Sequence, residues 1–130
     1  MSRYPSDFEN HPRPFPESAE YRGVCRYVVD GDTMDVIVDC GFNIYHYLTV
    51  RLRGIDTPEI YRPEDEEELR RGQKARGFVE GLILDQPILL TTYESKRSFG
   101  RYVADIQYYK SDSEQWIDLA AKLIEAGYAD

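Results

Sequence analysis

Residues 24–53 read VCRYVVDGDTMDVIVDCGFNIYHYLTVRLR, and this stretch decides the fold. Its second and third parts, 34–39 and 48–53, alternate apolar and polar side chains with the two-residue period of a half-buried strand. The first part, 24–29, is a short run rich in valine. Asp30-Gly31 is a strong tight-turn signal after it, and residues 40–45 provide a second turn. The stretch therefore predicts an antiparallel meander of three strands.

The rest of the chain predicts two more strands and two helices. An acidic run at 64–68 precedes apolar and small residues at helical spacing, which indicates the solvated start of an amphipathic helix rather than a metal site. Residues 88–93 and 102–108 have the pattern of a strand pair, and a final helix covers 117–124. We predict an α+β fold, mainly β: a five-stranded, OB-like Greek-key barrel with two packed helices.

The chain is expected to hold one domain. Residues 1–20 carry four prolines among polar residues and show no periodicity that would bury a face, so we expect a disordered Pro-rich tail. Residues 21–130 form the domain. With 130 residues, 42% of them hydrophobic, the chain is long enough to bury one core.

Nothing in the sequence directs the chain to a membrane or to export. The apolar runs are far shorter than the ~20 residues that span a bilayer, and the first twenty residues lack the pattern of a signal peptide. Cys25 and Cys40 flank the first hairpin out of register, which argues against a disulfide. We therefore expect a cytoplasmic protein that does not bind membranes.

The net charge of −8 argues against a nucleic-acid partner, because phosphate backbones are normally met by an excess of Lys and Arg. Many acidic residues beside twelve Arg and only four Lys are compatible with a halophilic source, where salt screens repulsion, and equally with an ordinary acidic protein. A viral or mobile-element source would also explain an acidic surface.

Carboxylates stand at two predicted strand ends. Asp32 lies in the turn 30–33, and Asp56 and Glu59 lie in the segment that follows the third strand; either segment alone is typical of a turn or a helix start. Loops at a barrel rim can bring such residues together. Asp32, Asp56 and the backbone carbonyl of Thr57 are hard oxygen ligands, which suit calcium or magnesium rather than zinc. Glu59 would then be positioned to take a proton from an attacking water.

Two arginines flank these acids. Arg51 lies in the third strand, and Arg101 begins the fifth; each can donate two hydrogen bonds to a phosphate and stabilise the charge of a five-coordinate phosphorus. Arg53 shares the face of Arg51, so it either adds positive potential for substrate binding or pairs with a surface acid.

The ordered set of motifs closely resembles the staphylococcal nuclease (thermonuclease) family. The resemblance covers roughly residues 21–129, and its middle block is highly specific. It is carried by Val29–Thr33, Val50–Glu59, Gly72–Phe78, Phe99–Arg101 and Leu123–Ala129.

The resemblance implies a calcium-dependent nuclease that hydrolyses DNA and RNA and leaves 3′-phosphate ends, on an OB-like barrel. Asp32, Asp56 and Thr57 match the calcium-binding residues of the family. Arg51 and Arg101 match the phosphate-binding arginines, and Glu59 matches the general base.

Three departures from the family pattern affect substrate binding. The third helix of the family, with its nearby base-contacting aromatics, has no counterpart, and Phe99 replaces a common Tyr beside the Gly-Arg pair. We place Phe99 with Arg53 among the substrate-binding residues. The founding members are also basic, whereas this chain is acidic.

Three function classes remain open, and one of them is a structural or interaction protein of a virus or mobile element, for which an acidic surface would be natural. An endonuclease is favoured because all five functional side chains are retained, and the alternative is a non-catalytic module on the same fold that binds nucleic acid or protein. We expect a monomer; the preference for DNA or RNA and any protein partner stay open. Several tyrosines either stack on bases or pack at the barrel rim. They are Tyr45, Tyr47, Tyr61, Tyr93, Tyr108 and Tyr109.

Overall fold

The computed structural model describes residues 16, 18–98 and 101–130, without the side chains of 94–98 and 101. Six strands and two helices follow one another along the described residues. They are β1 (Ser18–Asp30), β2 (Thr33–Asp39), β3 (Tyr45–Leu52), α1 (Glu66–Ile83), β4 (Pro87–Ser98), β5 (Arg101–Lys110), β6 (Gln115–Asp118) and α2 (Leu119–Glu125).

One closed sheet contains all six strands, in the order β3-β2-β1-β4-β5-β6. Neighbours in this order pair antiparallel, and a parallel pairing of Val50–Leu52 in β3 with Tyr102–Ala104 in β5 closes the barrel. The predicted meander is present as β1, β2 and β3. This topology confirms the predicted OB-like barrel with two helices.

Two element boundaries differ from the prediction. Strand β1 begins at Ser18, before the predicted start of the domain at Tyr21, because residues 18–24 pair with β4. The last helix begins at Leu119 instead of residue 117, since residues 115–118 form the short additional strand β6 on β5. The Asp118 carboxylate accepts a hydrogen bond from the Ala121 backbone amide and so caps the helix. The predicted tail lies mostly outside the described residues and stays a prediction.

The core follows the predicted alternation. On β2 and β3 the even-numbered side chains from Met34 to Val38, and Val50 and Leu52, are buried, while the odd-numbered side chains after Thr33 are more exposed. Helix α1 adds buried residues at three- and four-residue spacing, of which Val79 and Ile83 join the same hydrophobic cluster. Neither helix in the described ranges is long and apolar enough to cross a membrane.

Helix α1 begins where the acidic run predicts a solvated helix start. The Asp65 side chain accepts a hydrogen bond from the Glu68 backbone amide at 2.8 Å, and three glutamates occupy the first turn. Negative charge at a helix amino terminus is favourable because unpaired amides and the helix dipole point there. The run is thus part of the helix cap.

Three small residues let the segment 57–60 pack between the β1–β2 turn and α1. A Cβ on Gly31 would stand 2.9 Å from Thr57 Cγ2 and 3.0 Å from Ala75 Cβ. A Cβ on Gly72 would stand 2.8 Å from the Pro58 carbonyl oxygen. Larger side chains at these positions would push the segment away from the barrel.

Gly72→Ala and Gly77→Ala form a matched pair of tests. Both glycines lie inside α1, but no atom lies within 4 Å of a Cβ built on Gly77. Gly77→Ala is expected to raise the free energy of unfolding by about 1 kcal/mol, through helix propensity. Gly72→Ala is expected to lower it by about 1–3 kcal/mol, because the new methyl group meets backbone rather than a flexible side chain. Urea unfolding measures both, and equal stabilisation by the two variants would contradict the packing described.

The two cysteines are free, as predicted; Cys25 is buried opposite Val36 on β2, and Cys40 is exposed. Burial raises the pKa of the Cys25 thiol to about 11, because the charged thiolate loses its solvation.

We expect the two thiols to differ in reactivity. At pH 8 a thiol reagent should modify Cys40 alone in the folded protein, since Cys25 is both buried and protonated, and the second thiol should react only after unfolding. Counting modified thiols by mass spectrometry tests this. In Cys40→Ser, rapid modification of the native protein would show that Cys25 is accessible and would refute the expectation.

Candidate active site

Asp32 is the buried centre of the candidate site. It follows the tight turn after β1, and its Oδ2 accepts a hydrogen bond from the Thr57 backbone amide at 3.1 Å. The Thr33 hydroxyl donates to Oδ1 at 2.9 Å. The Asp32 backbone carbonyl accepts from the Leu52 amide at 2.8 Å. A buried carboxylate needs such donors, and here Thr33 and Thr57 supply them, from the start of β2 and from the loop after β3.

The Arg51 guanidinium lies between two carboxylates. Its Nη1 stands 3.4 Å from Asp32 Oδ2, and its Nη2 forms an ion pair with Asp56 Oδ1. The same Nη2 donates to the Ile55 carbonyl at 3.2 Å. Arg51 is 21% exposed, whereas Asp56 is 83% exposed. The predicted residues Asp32, Arg51 and Asp56 are therefore brought together on the solvent-accessible side of the barrel.

Thr57 joins this group through its backbone. Its amide holds Asp32, while its side-chain Oγ1 is buried without a hydrogen-bond partner among the described residues. Leaving a buried hydroxyl without a partner costs free energy, so binding of a ligand that supplies a hydrogen-bond donor or a cation to this oxygen would be favourable. The predicted role of the Thr57 carbonyl as a metal ligand stays a prediction.

Glu59 is exposed, two residues beyond Thr57. Gly72 packs closely against its backbone, since a Cβ on Gly72 would stand 2.9 Å from the Glu59 carbonyl oxygen, and this contact fixes the main chain here. No hydrogen bond or ion pair joins its carboxylate to Asp32, Arg51 or Asp56 in the part of the chain that is described. Glu59 is thus near the cluster in sequence and exposed to solvent, and its role as base stays a prediction.

Arg101 begins β5, where its backbone pairs with Ser98. Two residues on, Val103 pairs with Arg51 of β3. The main chain of Arg101 therefore lies in the strand beside Arg51. Its side chain lies outside the described residues, as does the whole of Phe99, and their predicted roles in phosphate and substrate binding stay predictions.

Arg53 pairs with a surface acid, one of the two alternatives that the sequence left open. Its Nε lies 3.2 Å from Asp105 Oδ1, and its guanidinium carbon lies 4.1 Å from the centre of the Tyr93 ring. The Tyr93 hydroxyl donates to Asp105 at 2.9 Å. The hydrogen bond to Asp105 raises the pKa of Arg53 and also that of Tyr93. A role for Arg53 in substrate binding would require it to leave this pair.

Sequence reasoning missed a second anchor of the loop after β3. The Arg76 guanidinium on α1 donates to the Tyr27 hydroxyl at 3.0 Å and lies 5.1 Å from the centre of the same ring. The Tyr27 hydroxyl is 3.5 Å from that of Tyr61. These contacts join β1, α1 and the loop that carries Glu59. The sequence holds no local signal for them, because the three residues are far apart along the chain.

A cleft of about 370 Å³ opens beside Asp56. Asp56, Thr57 and Pro58 form one wall, and α1 contributes Arg71 and Lys74 to another. Their positive charges stand close to the candidate site, and Glu68 and Asp130 line the same cleft.

The donor set of the site suits a hard cation. Asp32 and Asp56 both face Arg51, so two carboxylates share one guanidinium and leave an excess negative charge. No group of three or more His, Cys, Asp or Glu side chains suited to a metal occurs in the described ranges. A cation here would therefore be held by two carboxylates together with backbone, water or substrate oxygens, a pattern that calcium and magnesium accept and that structural zinc does not.

Comparison with known proteins identifies the family of the chain. An endonuclease of Bacillus subtilis (strain 168), YhcR, is 28% identical over 127 residues, which cover 93% of this chain and 10% of the relative. The chain thus spans about a tenth of the length of the curated relative it matches. The profile of the family described as staphylococcal nuclease homologue matches residues 49–130, more than half of the chain and the part that contains Arg51, Asp56 and Glu59. The chain therefore belongs to the staphylococcal nuclease homologue family.

Proposed function

We propose that this protein is a calcium-dependent nuclease that hydrolyses phosphodiester bonds of DNA or RNA. The observation that supports it most is the Arg51 guanidinium held between Asp32 and Asp56 in a member of a nuclease family. In this arrangement a guanidinium that would bind a phosphate lies directly beside two carboxylates that would serve as hard ligands. Phosphodiester hydrolysis needs both, because negative charge builds up on the phosphoryl oxygens in the transition state.

Asp32, Asp56 and the Thr57 carbonyl would hold the calcium ion. When bound, the ion would supply positive charge to a substrate phosphate oxygen and to the water that attacks phosphorus. Asp32 is held by the Thr57 amide and the Thr33 hydroxyl, so its position is set before any ligand arrives. Asp56 is exposed and is the more adaptable ligand.

Arg51 would bind the phosphate. Its hydrogen bond to the Ile55 carbonyl fixes the guanidinium from behind, and its ion pair with the exposed Asp56 is the contact that a phosphate oxygen most easily replaces. Arg101, whose main chain lies in the neighbouring strand, would supply the second guanidinium.

Glu59 would accept the proton of the attacking water. The water oxygen bonds to phosphorus, the bond from phosphorus to the 5′ oxygen breaks, and that oxygen takes a proton from solvent. The products are a 3′-phosphate and a 5′-hydroxyl end. An exposed carboxylate on an anchored backbone can reach a water at the site and then return its proton to solvent.

Glu59→Gln tests the catalytic assignment. We expect kcat to fall by about 100-fold to 10,000-fold with little change in KM, since the amide can no longer take a proton. Cleavage of labelled single- and double-stranded DNA and of RNA is followed with added calcium. Glu67→Gln, in the exposed first turn of α1, is the control and should retain full activity. Full activity in Glu59→Gln would refute the role of Glu59.

Metal dependence is tested separately through Asp56. A chelator should abolish cleavage, and calcium should restore it. Asp56→Asn should raise the calcium concentration needed for half-maximal activity by about tenfold or more, because a charged ligand becomes neutral while the exposed position spares the fold. Calorimetric titration of calcium into the two proteins checks the affinity directly. Cleavage that is unaffected by the chelator would exclude a metal-assisted mechanism.

Nucleic-acid binding without cleavage under every metal and salt condition would instead favour the non-catalytic module.

A further inference from the structure

A row of side chains runs along the outer face of β3 from its start to the candidate site. Strand alternation turns Tyr45, Tyr47, Thr49 and Arg51 to the same face, while Val50 is buried on the other. Neighbours in such a row are about 6.6 Å apart, so Tyr47 stands about 13 Å from Arg51 along the strand. The two tyrosines are 60% and 63% exposed. The core does not use either ring.

The acidic residues beside this row are already engaged. Asp35 lies on β2, opposite Thr49 of β3. Its carboxylate accepts a hydrogen bond from the Thr49 hydroxyl at 2.7 Å. Asp39 lies opposite Tyr45 and forms an ion pair with Arg22 at 2.6 Å. The backbone amide of Gly41, and then Arg22, lower the pKa of Asp39 below its usual value. The ion pair with Arg22 offsets the charge of Asp39, which reduces the repulsion of a phosphate backbone at that end of the row. Asp35 keeps its negative charge, because the hydroxyl that it binds is neutral.

The outer edge of β3 is also accessible beside the tyrosines. The pairing with β5 covers Val50–Leu52 only, so the part from Tyr45 to Thr49 has a strand neighbour on the β2 side alone within the described residues. Exposed aromatic side chains on an open strand edge promote aggregation unless a ligand or another device covers them.

We propose that Tyr45 and Tyr47 form a tyrosine track on which successive bases of a single-stranded nucleic acid stack while its scissile phosphate lies at Arg51. This proposal rests on the proposed nuclease function and names the preferred substrate as single-stranded. Every base can stack on an aromatic ring, because every base has a π-face. The free energy of stacking depends far less on the net charge of the protein than that of phosphate contacts does. A protein with a net charge of −8 gains more from such contacts than a basic nuclease would.

The bases of a duplex cannot stack on the two tyrosines as those of a single strand would. Its bases are paired and stacked on one another, so reaching the tyrosines requires that they first be unstacked, at a free-energy cost. The duplex would therefore bind through phosphate contacts alone, which a strongly acidic protein makes poorly.

The test compares the double variant Tyr45→Ser, Tyr47→Ser with the unaltered chain. We expect KM for a single-stranded oligonucleotide of about twenty nucleotides to rise about tenfold or more, the loss typical of one stacked base, with kcat unchanged. KM for the matching duplex should change less than about twofold. The double variant Tyr45→Phe, Tyr47→Phe keeps the rings and should retain the affinity of the unaltered chain. Tyr109→Ser, an exposed tyrosine on β5 remote from the track, is the control.

A binding measurement that does not depend on cleavage distinguishes failure of the tyrosine-track proposal from failure of the nuclease proposal. Fluorescence anisotropy of labelled oligothymidylate is measured with the same variants, in calcium, with Glu59→Gln added to prevent cleavage. Loss of binding in the serine variant with retention in the phenylalanine variant supports the track, even if the unaltered chain cleaves nothing. Equal binding by the serine variant and the unaltered chain, or equal loss for single strand and duplex, overturns it. Circular dichroism of each variant confirms that the barrel is folded.

Discussion

The carboxylate of Asp32 is the contact on which the site depends. It is buried, so it must be paired, and its partners are the Thr57 amide, the Thr33 hydroxyl and the Arg51 guanidinium. The backbone of the same residue holds the Leu52 amide at the end of β3. A single residue thus links the β1–β2 turn, the third strand and the loop that follows it. The hydrogen bonds to the Asp32 side chain also fix the position of this buried carboxylate in the site.

Close packing supports this electrostatic centre. Gly31, Ala75 and Gly72 bring the turn and α1 so near to residues 57–60 that a single methyl group would collide with the segment. The Arg76–Tyr27–Tyr61 contacts hold the next part of the loop. The loop is therefore confined along its backbone while the carboxylates of Asp56 and Glu59 remain exposed. A packed backbone with exposed acidic side chains suits a site that exchanges ions and protons with solvent.

The pairing of arginines with acids decides what local charge a phosphate meets on this acidic protein. Arg53 is paired with Asp105 and stacked on Tyr93. Arg22 is paired with Asp39, so these two arginines offset the charges of acids on the surface of the barrel. Arg51 differs from them because two carboxylates compete for it. It is thus poised to exchange a carboxylate partner for another anion. Net charge alone is a poor guide to binding when the charges of one face are already paired.

The sequence by itself determined the strands of the meander, the start of α1 and the closed β architecture, because two-residue and helical periodicities and an Asp-Gly turn are local signals. It also predicted site residues at strand ends, and the structure brings three of them, Asp32, Arg51 and Asp56, together. It missed β6, whose four residues are too few for a periodicity, and it placed the start of β1 too late, since pairing with the distant β4 creates that part of the strand. Only the tertiary structure decided that Arg51 lies between the two carboxylates, that Arg53 pairs with Asp105, and that Gly72 meets the backbone beside Glu59. These contacts join residues far apart in sequence or depend on the direction of side chains, and that information exists only once the barrel has closed.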